Sequence, residues 1–194
     1  MTEPLRLGIA GLGTVGAGVV KIVRQKAALL EARGGRLITI SAVSARNRLK
    51  ERGVPLDDYV WEDDPVALAK RDDVDVFVEL VGGSDGPAKA ATEAALRAGK
   101  DVVTANKALL AHHGQDLAEL AEKAGSVLRF EAAVAGGIPV VKALTEGLAG
   151  NDIKRVMGVM NGTCNYILTR MESAGLTYDQ AFAEADGLGY LEAD

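Results

Sequence analysis

Leu5-Arg6-Leu7-Gly8-Ile9-Ala10-Gly11-Leu12-Gly13-Thr14-Val15-Gly16 is the stretch that decides the fold, because an apolar run of strand type passes without a break into G-x-G-x-x-G. Gly11 permits a tight turn, Gly13 lets main chain approach a ligand with no Cβ in the way, and Gly16 lets the next helix pack closely on the strand. Val15, Val19, Val20, Ile22 and Val23 follow at helical spacing. The N–H groups of residues 13 to 16 then stand at the positive end of a helix dipole, where phosphate oxygens bind. A glycine-rich turn also occurs as a purely structural device. The strand before it and the helix after it favour a dinucleotide pyrophosphate site, and with it redox chemistry.

Working outward, strand and helix signals alternate. Leu37 to Ser44 reads as a second strand after the polar stretch Arg33-Gly34-Gly35-Arg36. Asp64-Pro65 has the form of an N-cap followed by Pro in the first turn, opening a short helix through Lys70. Val74 to Val81 is a further strand closed by Gly82-Gly83, and Ser84-Asp85-Gly86-Pro87 opens an Ala-rich helix that Gly99 ends. Asp101 to Ala105 is strand, Gln115 to Lys123 helix stopped by Gly125, and Val127 to Val134 strand again. Such alternation predicts an α/β fold, a doubly wound parallel sheet of Rossmann type, over residues 1–132.

Residues 133–194 change character and predict the beginning of a second, α+β domain for substrate binding and dimerisation. Pro139 to Leu148 reads as helix, Ile153 to Met160 as strand and Asn165 to Ser173 as helix. Thr177 with Gln180 has capping-box spacing ahead of a last helix. The ending Gly187-Leu188-Gly189-Tyr190-Leu191-Glu192-Ala193-Asp194 has the look of an interrupted domain.

Composition narrows the function classes. The 194 residues are 48% hydrophobic, enough for a sizeable core. A net charge of -5 with scattered Lys and Arg speaks against nucleic acid or an anionic membrane as partner. The single cysteine, Cys164, has no internal disulfide partner, and Met-Thr-Glu-Pro-Leu-Arg lacks a secretion-signal core, so a cytoplasmic location is expected. No run reaches the roughly 18 apolar residues that span a bilayer.

In an open parallel sheet, ligands lie beyond the carboxyl ends of the strands. That rule selects four places: Gly11 to Gly16; Ser44-Ala45-Arg46-Asn47-Arg48; Thr104-Ala105-Asn106-Lys107; and Asn161-Gly162-Thr163-Cys164-Asn165. The second carries no acid for ribose hydroxyls, and Arg46 and Arg48 suit a 2′-phosphate, which leans the cofactor to NADP over NAD; a solvated basic loop is the other reading. At the third, Lys107 has the position and the donors to steady a carbonyl oxygen as it becomes an alkoxide, with Thr104 beside the cofactor; a plain surface lysine is the alternative. Glu79, inside an apolar strand, is open between a structural and a functional carboxylate. At the fourth, Gly162 and Thr163 begin a helix whose N-terminus suits an anionic substrate group. Cys164 there is either a nucleophile of lowered pKa or a small packed thiol. His112 and His113 are adjacent and point apart, a poor metal pair.

Over nearly its whole length the chain resembles the homoserine dehydrogenase family. The resemblance rests on Gly11 to Gly16, Val78-Glu79-Leu80-Val81-Gly82-Gly83, Thr104 to Lys107, Glu131-Ala132-Ala133-Val134-Ala135-Gly136-Gly137-Ile138-Pro139, Asn161 to Leu168, and Gly189 to Asp194. It implies NAD(P)H-dependent reduction of L-aspartate 4-semialdehyde to L-homoserine, on the route to threonine, methionine and isoleucine. It further implies that Gly13, Thr14, Val15, Arg46 and Gly189 meet the cofactor, that Lys107 stands by the reacting carbonyl, and that Glu192 binds the substrate amino group. A monovalent cation, usually sodium, is implied on main-chain oxygens of Glu131, Val134, Gly136 and Ile138. The family also implies a homodimer for the intact protein.

Cys164 falls where relatives often carry Thr, and the family's downstream Asp and Lys do not occur before Asp194. A fragment that binds cofactor but turns over poorly is therefore expected. Two rival functions are a phosphorylating semialdehyde oxidation through Cys164 and a non-catalytic NADP(H) sensor.

Overall fold

The computed structural model describes residues 3–159 and 161–191. Six parallel strands form one sheet: β1 (Leu5–Ala10), β2 (Ile38–Ser44), β3 (Val60–Trp61), β4 (Val76–Glu79), β5 (Asp101–Thr104) and β6 (Leu128–Arg129). Their order is β3-β2-β1-β4-β5-β6. The winding reverses between β1 and β4, which opens a crevice above the carboxyl end of β1. Leu7 pairs with Ile40 on one side and Val76 on the other, so β1 is central and its glycine turn sits at that switch point.

Both faces of the sheet are covered, which explains why its strands are apolar without alternation. Leu7, Ile9, Val43, Val76 and Val78 pack on one face with Val20 and Val23 of helix α1 (Thr14–Gln25). On the other face Ala10, Ala42, Phe77 and Val102 meet Leu68 of α3 (Pro65–Lys70), Ala91, Ala95 and Leu96 of α4 (Pro87–Arg97), and Leu109 and Leu117 of α5 (Lys107–Ala124). The small alanines of α4 let that helix lie close to α3 and α5. A short helix α2 (Ala27–Gly34), with no fully buried residue, leads into β2.

The helix ends carry the expected chemistry. Asp64 accepts from the N–H of Val66 with Pro65 in the first turn, and Thr177 and Gln180 form a reciprocal capping box. Three readings need correction. The strand expected over Val127 to Val134 ends at Arg129, because the backbone turns at Phe130 into helix α6 (Glu131–Val134). The helix expected from Pro139 to Leu148 is a short α7 (Val140–Lys142) running into a wider π-helical turn, Ala143–Gly147. No strand forms over 153–159, because no neighbouring strand pairs with it among the described residues; Met160 lies outside them.

The chain divides into two compact units, through Ala149 and from Gly150. By compactness, residues 133–149 lie in the unit that holds the sheet. In the second unit, α8 (Gly162–Ala174) packs on α9 (Tyr178–Gly187) around Ile167, Ala181 and Ala185. Glu184 accepts from the Tyr166 hydroxyl at 2.8 Å and from Arg170 at 3.0 Å, tying the two helices together.

Candidate functional site: a dinucleotide cleft at the sheet's switch point

The turn after β1 is glycine for two different reasons. Gly11 has φ +93°, and a Cβ there would stand 2.2 Å from the carbonyl oxygen of Leu80. A Cβ on Gly16 would stand 1.9 Å from the oxygen of Gly11. These two glycines are demanded by the fold itself. Gly13 is not: a Cβ there meets nothing within 4 Å. It is the N-cap of α1, it offers no capping side chain, and the first turn has no acidic residue. The N–H groups at this helix start are thus left to something outside the polypeptide, and a pyrophosphate fits them in charge and hydrogen-bonding capacity.

A cleft of about 490 Å³ runs from this turn across the end of β2, bounded by Gly11, Gly13, Ser44, Arg46 and Lys50 on that side. Arg46 is exposed there and makes no hydrogen bond or ion pair among the described residues. Arg48, its expected companion, is instead engaged: its guanidinium lies 5.7 Å from the centre of the Trp61 ring. Arg52, absent from the sequence reading, organises this end. Its guanidinium donates to the carbonyls of Leu12 at 3.1 Å, Lys50 at 2.5 Å and Asn47, and lies 5.5 Å from the same Trp61 ring. The Trp61 indole N–H is anchored on Asp63 at 2.8 Å. The loop bearing Arg46 is therefore pinned to the glycine turn.

On the other side of Leu80 and Val81 a smaller cleft of about 150 Å³ is lined by Val15, Gly82, Ala105 and Asn106. Beneath it lies Glu79, fully buried at 0% exposure. One carboxylate oxygen accepts from the N–H groups of Val81 at 2.7 Å and Gly82 at 3.2 Å, and from the Asn106 amide at 3.5 Å. The other accepts from the Thr104 hydroxyl at 2.6 Å. Asn106 in turn donates to the carbonyl of Gly83 at 2.8 Å, while its side-chain oxygen caps α5 through the N–H of Leu109 at 3.0 Å. The sequence placed the helix start at Gln115. The cap at Asn106 moves it to Lys107, which becomes the exposed first residue of α5. A cation at a helix N-terminus opposes the dipole, so helix stability does not account for it.

Thr104, expected beside the cofactor, has a fully buried side chain whose hydroxyl donates to Glu79 and accepts from the N–H of Asn106 at 3.0 Å, so the hydroxyl serves the scaffold. The loop after Gly83 is tethered to α5 by His113, whose Nε2 is 2.9 Å from Asp85. Hydrogen bonds from Ser84 and His113 hold the Asp85 carboxyl below its ordinary range.

The residues read as a cation site lie on α6 and the turn after it. The carboxylate of Glu131 is occupied in capping α7, accepting from Val141 at 2.9 Å and Lys142 at 2.8 Å. The Glu131 and Ile138 carbonyls each accept one main-chain N–H, from Ala135 at 3.0 Å and Val140 at 2.8 Å, whereas those of Val134 and Gly136 accept none among the described residues. Carbonyl oxygens with a lone pair to spare fit a hard cation. No cluster of three His, Cys, Asp or Glu suited to a metal occurs among the described residues.

In the second unit Gly162, Thr163 and Tyr190, the residue after Gly189, come together at one end of the helix pair. The Thr163 hydroxyl donates to the Tyr190 carbonyl at 2.7 Å, and the Tyr166 and Tyr190 rings meet edge to face at 5.1 Å. A depression of about 520 Å³ is lined there by Gly162, Thr163, Asn165, Tyr166, Thr169 and Tyr190. Glu192 lies outside the described residues. Asn161 caps α8 through the N–H of Cys164 at 2.8 Å, and Cys164 is exposed. Both histidines are in α5 of the sheet unit.

A 3-2-1-4-5-6 parallel sheet with an uncapped glycine turn at its switch point defines a doubly wound dinucleotide-binding protein. Comparison narrows the class. Residues 11–131 match the family model for the NAD binding domain of homoserine dehydrogenase, and residues 139–194 match the model for homoserine dehydrogenase. The chain belongs to the homoserine dehydrogenase family. It is 48% identical to the homoserine dehydrogenase of Neisseria gonorrhoeae and 46% identical to that of Mycobacterium tuberculosis, in each case over 99% of this chain. Those alignments cover 44% and 43% of the relatives, so the chain spans under half their length. The crystal structure of the Thiobacillus denitrificans enzyme superimposes with a TM-score of 0.89 at 40% identity, over 99% of this chain and 44% of that one. A hyperthermophilic archaeal homoserine dehydrogenase in complex with NADPH superimposes at 0.80 with 28% identity, over 99% and 63%.

Proposed function

We propose that this chain supplies the nucleotide-binding part of an NAD(P)H-dependent reduction of L-aspartate 4-semialdehyde to L-homoserine. The observation that carries the reading is Gly13: it lies open at an uncapped helix start, on a cleft that Arg46 also lines. NAD(P)H supplies the hydride when bound. The N–H groups of residues 13 to 16 take the pyrophosphate, and Arg46 meets the adenosine ribose or its phosphate, with NADP favoured because no acid stands at the end of β2. The Lys107 ammonium donates to the substrate carbonyl oxygen and stabilises the charge that develops there. Glu192 takes the substrate amino group, the Gly162–Thr163 helix start receives its carboxylate, and Gly189 meets the cofactor.

The same family membership supports a place in threonine, methionine and isoleucine biosynthesis, a cytoplasmic homodimer for the complete protein, and a sodium-type cation on the carbonyls of Glu131, Val134, Gly136 and Ile138. No helix among the described residues is long and apolar enough to cross a membrane.

The test is a pair of measurements on the protein and its Lys107→Ala variant: NADPH binding by titration, and NADPH oxidation with aspartate semialdehyde in the polypeptide of full family length. Lys107→Ala should lower kcat by two or more orders of magnitude, about 3 kcal/mol, with NADPH affinity nearly unchanged. Unchanged turnover removes Lys107 from the reaction. The 194-residue chain alone should bind nucleotide and turn over poorly.

A further inference from the structure

Glu79 has no part in the function as drawn so far, yet it is among the largest fully buried side chains of the molecule. A carboxylate without contact to water needs donors, and the donors here come from the ends of two neighbouring strands, β4 and β5. Val81 and Gly82 lie in the loop after β4, Thr104 closes β5, and Asn106 caps α5. All four donors are neutral, and three of them, on Val81, Gly82 and Asn106, belong to residues lining the 150 Å³ cleft. The larger cleft shares Leu80 and Val81 with the smaller one and extends the opposite way, toward Arg46. With the pyrophosphate on the glycine turn and the adenosine half beside Arg46, the remaining half of a dinucleotide falls to the cleft that Glu79 underlies.

We propose that Glu79 is the positioning residue for the nicotinamide half of the cofactor, acting through the N–H groups of Val81 and Gly82 and through Asn106, whose cap also fixes where α5 presents Lys107. The inference rests on the cofactor reading given above. It separates the two halves of the cleft by cause. The adenosine end is held by Arg52 and Trp61, the nicotinamide end by one buried carboxylate.

The test uses two probes on the 194-residue chain: NADPH, which needs both halves, and 2′,5′-ADP, which needs only the adenosine end. In Glu79→Ala, NADPH should lose about tenfold or more in affinity and fall toward the level of 2′,5′-ADP, whose own affinity stays within about twofold of wild type. Glu79→Gln keeps an acceptor oxygen for the N–H groups and turns its amide toward the Thr104 hydroxyl, so it should recover most of the loss. Asn106→Ser keeps a capping oxygen but loses the amide, and should lower NADPH affinity in the same direction by a smaller factor; it stands in should Glu79→Ala fail to fold. Equal losses for both probes show that Glu79 holds only the fold, and unchanged NADPH affinity shows that it holds nothing the cofactor uses. A Gln variant as weak as Ala contradicts the hydrogen-bond argument. Failure of wild type to bind either probe overturns the cofactor reading itself, a result distinct from these.

Discussion

The two ends of the nucleotide cleft are built by opposite means. At the β2 end, cations lie on the surface, stacked on Trp61 or donating to carbonyls, and Arg46 is left exposed. At the β4 and β5 ends, the buried Glu79 carboxyl gathers neutral donors around itself. The first arrangement is adjustable, because long side chains over an indole shift at little cost. The second is stiff, because leaving any of its buried partners unpaired costs about 1–3 kcal/mol. On the proposed cofactor reading, the adjustable end would hold the adenosine half and the stiff end the nicotinamide half, where the tighter geometry is needed.

The glycine turn between the two ends offers the sharpest way to break this comparison. Gly16→Ala places a Cβ 1.9 Å from the Gly11 oxygen and should destabilise the sheet unit by about 3 kcal/mol or more in urea titration. Gly13→Ala meets no protein atom and should leave the midpoint of that titration nearly unchanged, while NADPH affinity falls about tenfold. Equal stability losses in the two variants would erase the distinction between glycines kept for the fold and the one kept for the ligand.

At the adenosine end, Arg46→Ala should weaken NADPH binding by about tenfold to a hundredfold and NADH binding far less, measured side by side. Arg52→Ala should weaken both nucleotides by a smaller and more even factor, about threefold to tenfold, because it frees the loop without removing a phosphate partner. A selective loss of NADPH in Arg52→Ala, matching that of Arg46→Ala, would make Arg52 a phosphate ligand instead of a clamp.

Far from the cleft, the Arg6 guanidinium holds the Asp75 carboxyl below its ordinary range through hydrogen bonds at 3.1 and 2.7 Å. With a folded pKa below the unfolded one, this pair stabilises the protein above about pH 4, and the contribution fades as pH falls through the folded value. Asp75→Asn should therefore show a small stability deficit at neutral pH that closes on acidification, with nucleotide binding unaffected. This is the smallest effect of the set, and a deficit that grew toward acid would reverse the assignment.

Much of this was legible from residues 5 to 16 alone, because the strand, the turn and the helix each carry a local signature. The Asp64-Pro65 start and the Thr177 and Gln180 box were legible for the same reason. The start of α5 at Lys107 was missed because Thr104-Ala105-Asn106-Lys107 reads as a loop after a strand. Asn106 is a permitted N-cap, and that signal was present. Glu79 was visible as an oddity, but its role depends on donors 2, 3, 25 and 27 residues away, which meet only when β4 and β5 pair. The Arg52 clamp was hidden likewise, since it aims at main-chain carbonyls that leave no trace in composition. Residues 153–159 show the reverse case, an apolar pattern of strand type that forms none because strand structure requires a partner.

The central claim is tested most directly by determining the structure of this chain with NADPH. The account predicts the pyrophosphate on the N–H groups that follow Gly13, the adenosine phosphate beside Arg46, and the nicotinamide ring in the cleft between Val15 and Asn106. An empty glycine turn, or a ring directed away from Asn106 and Lys107, would contradict it.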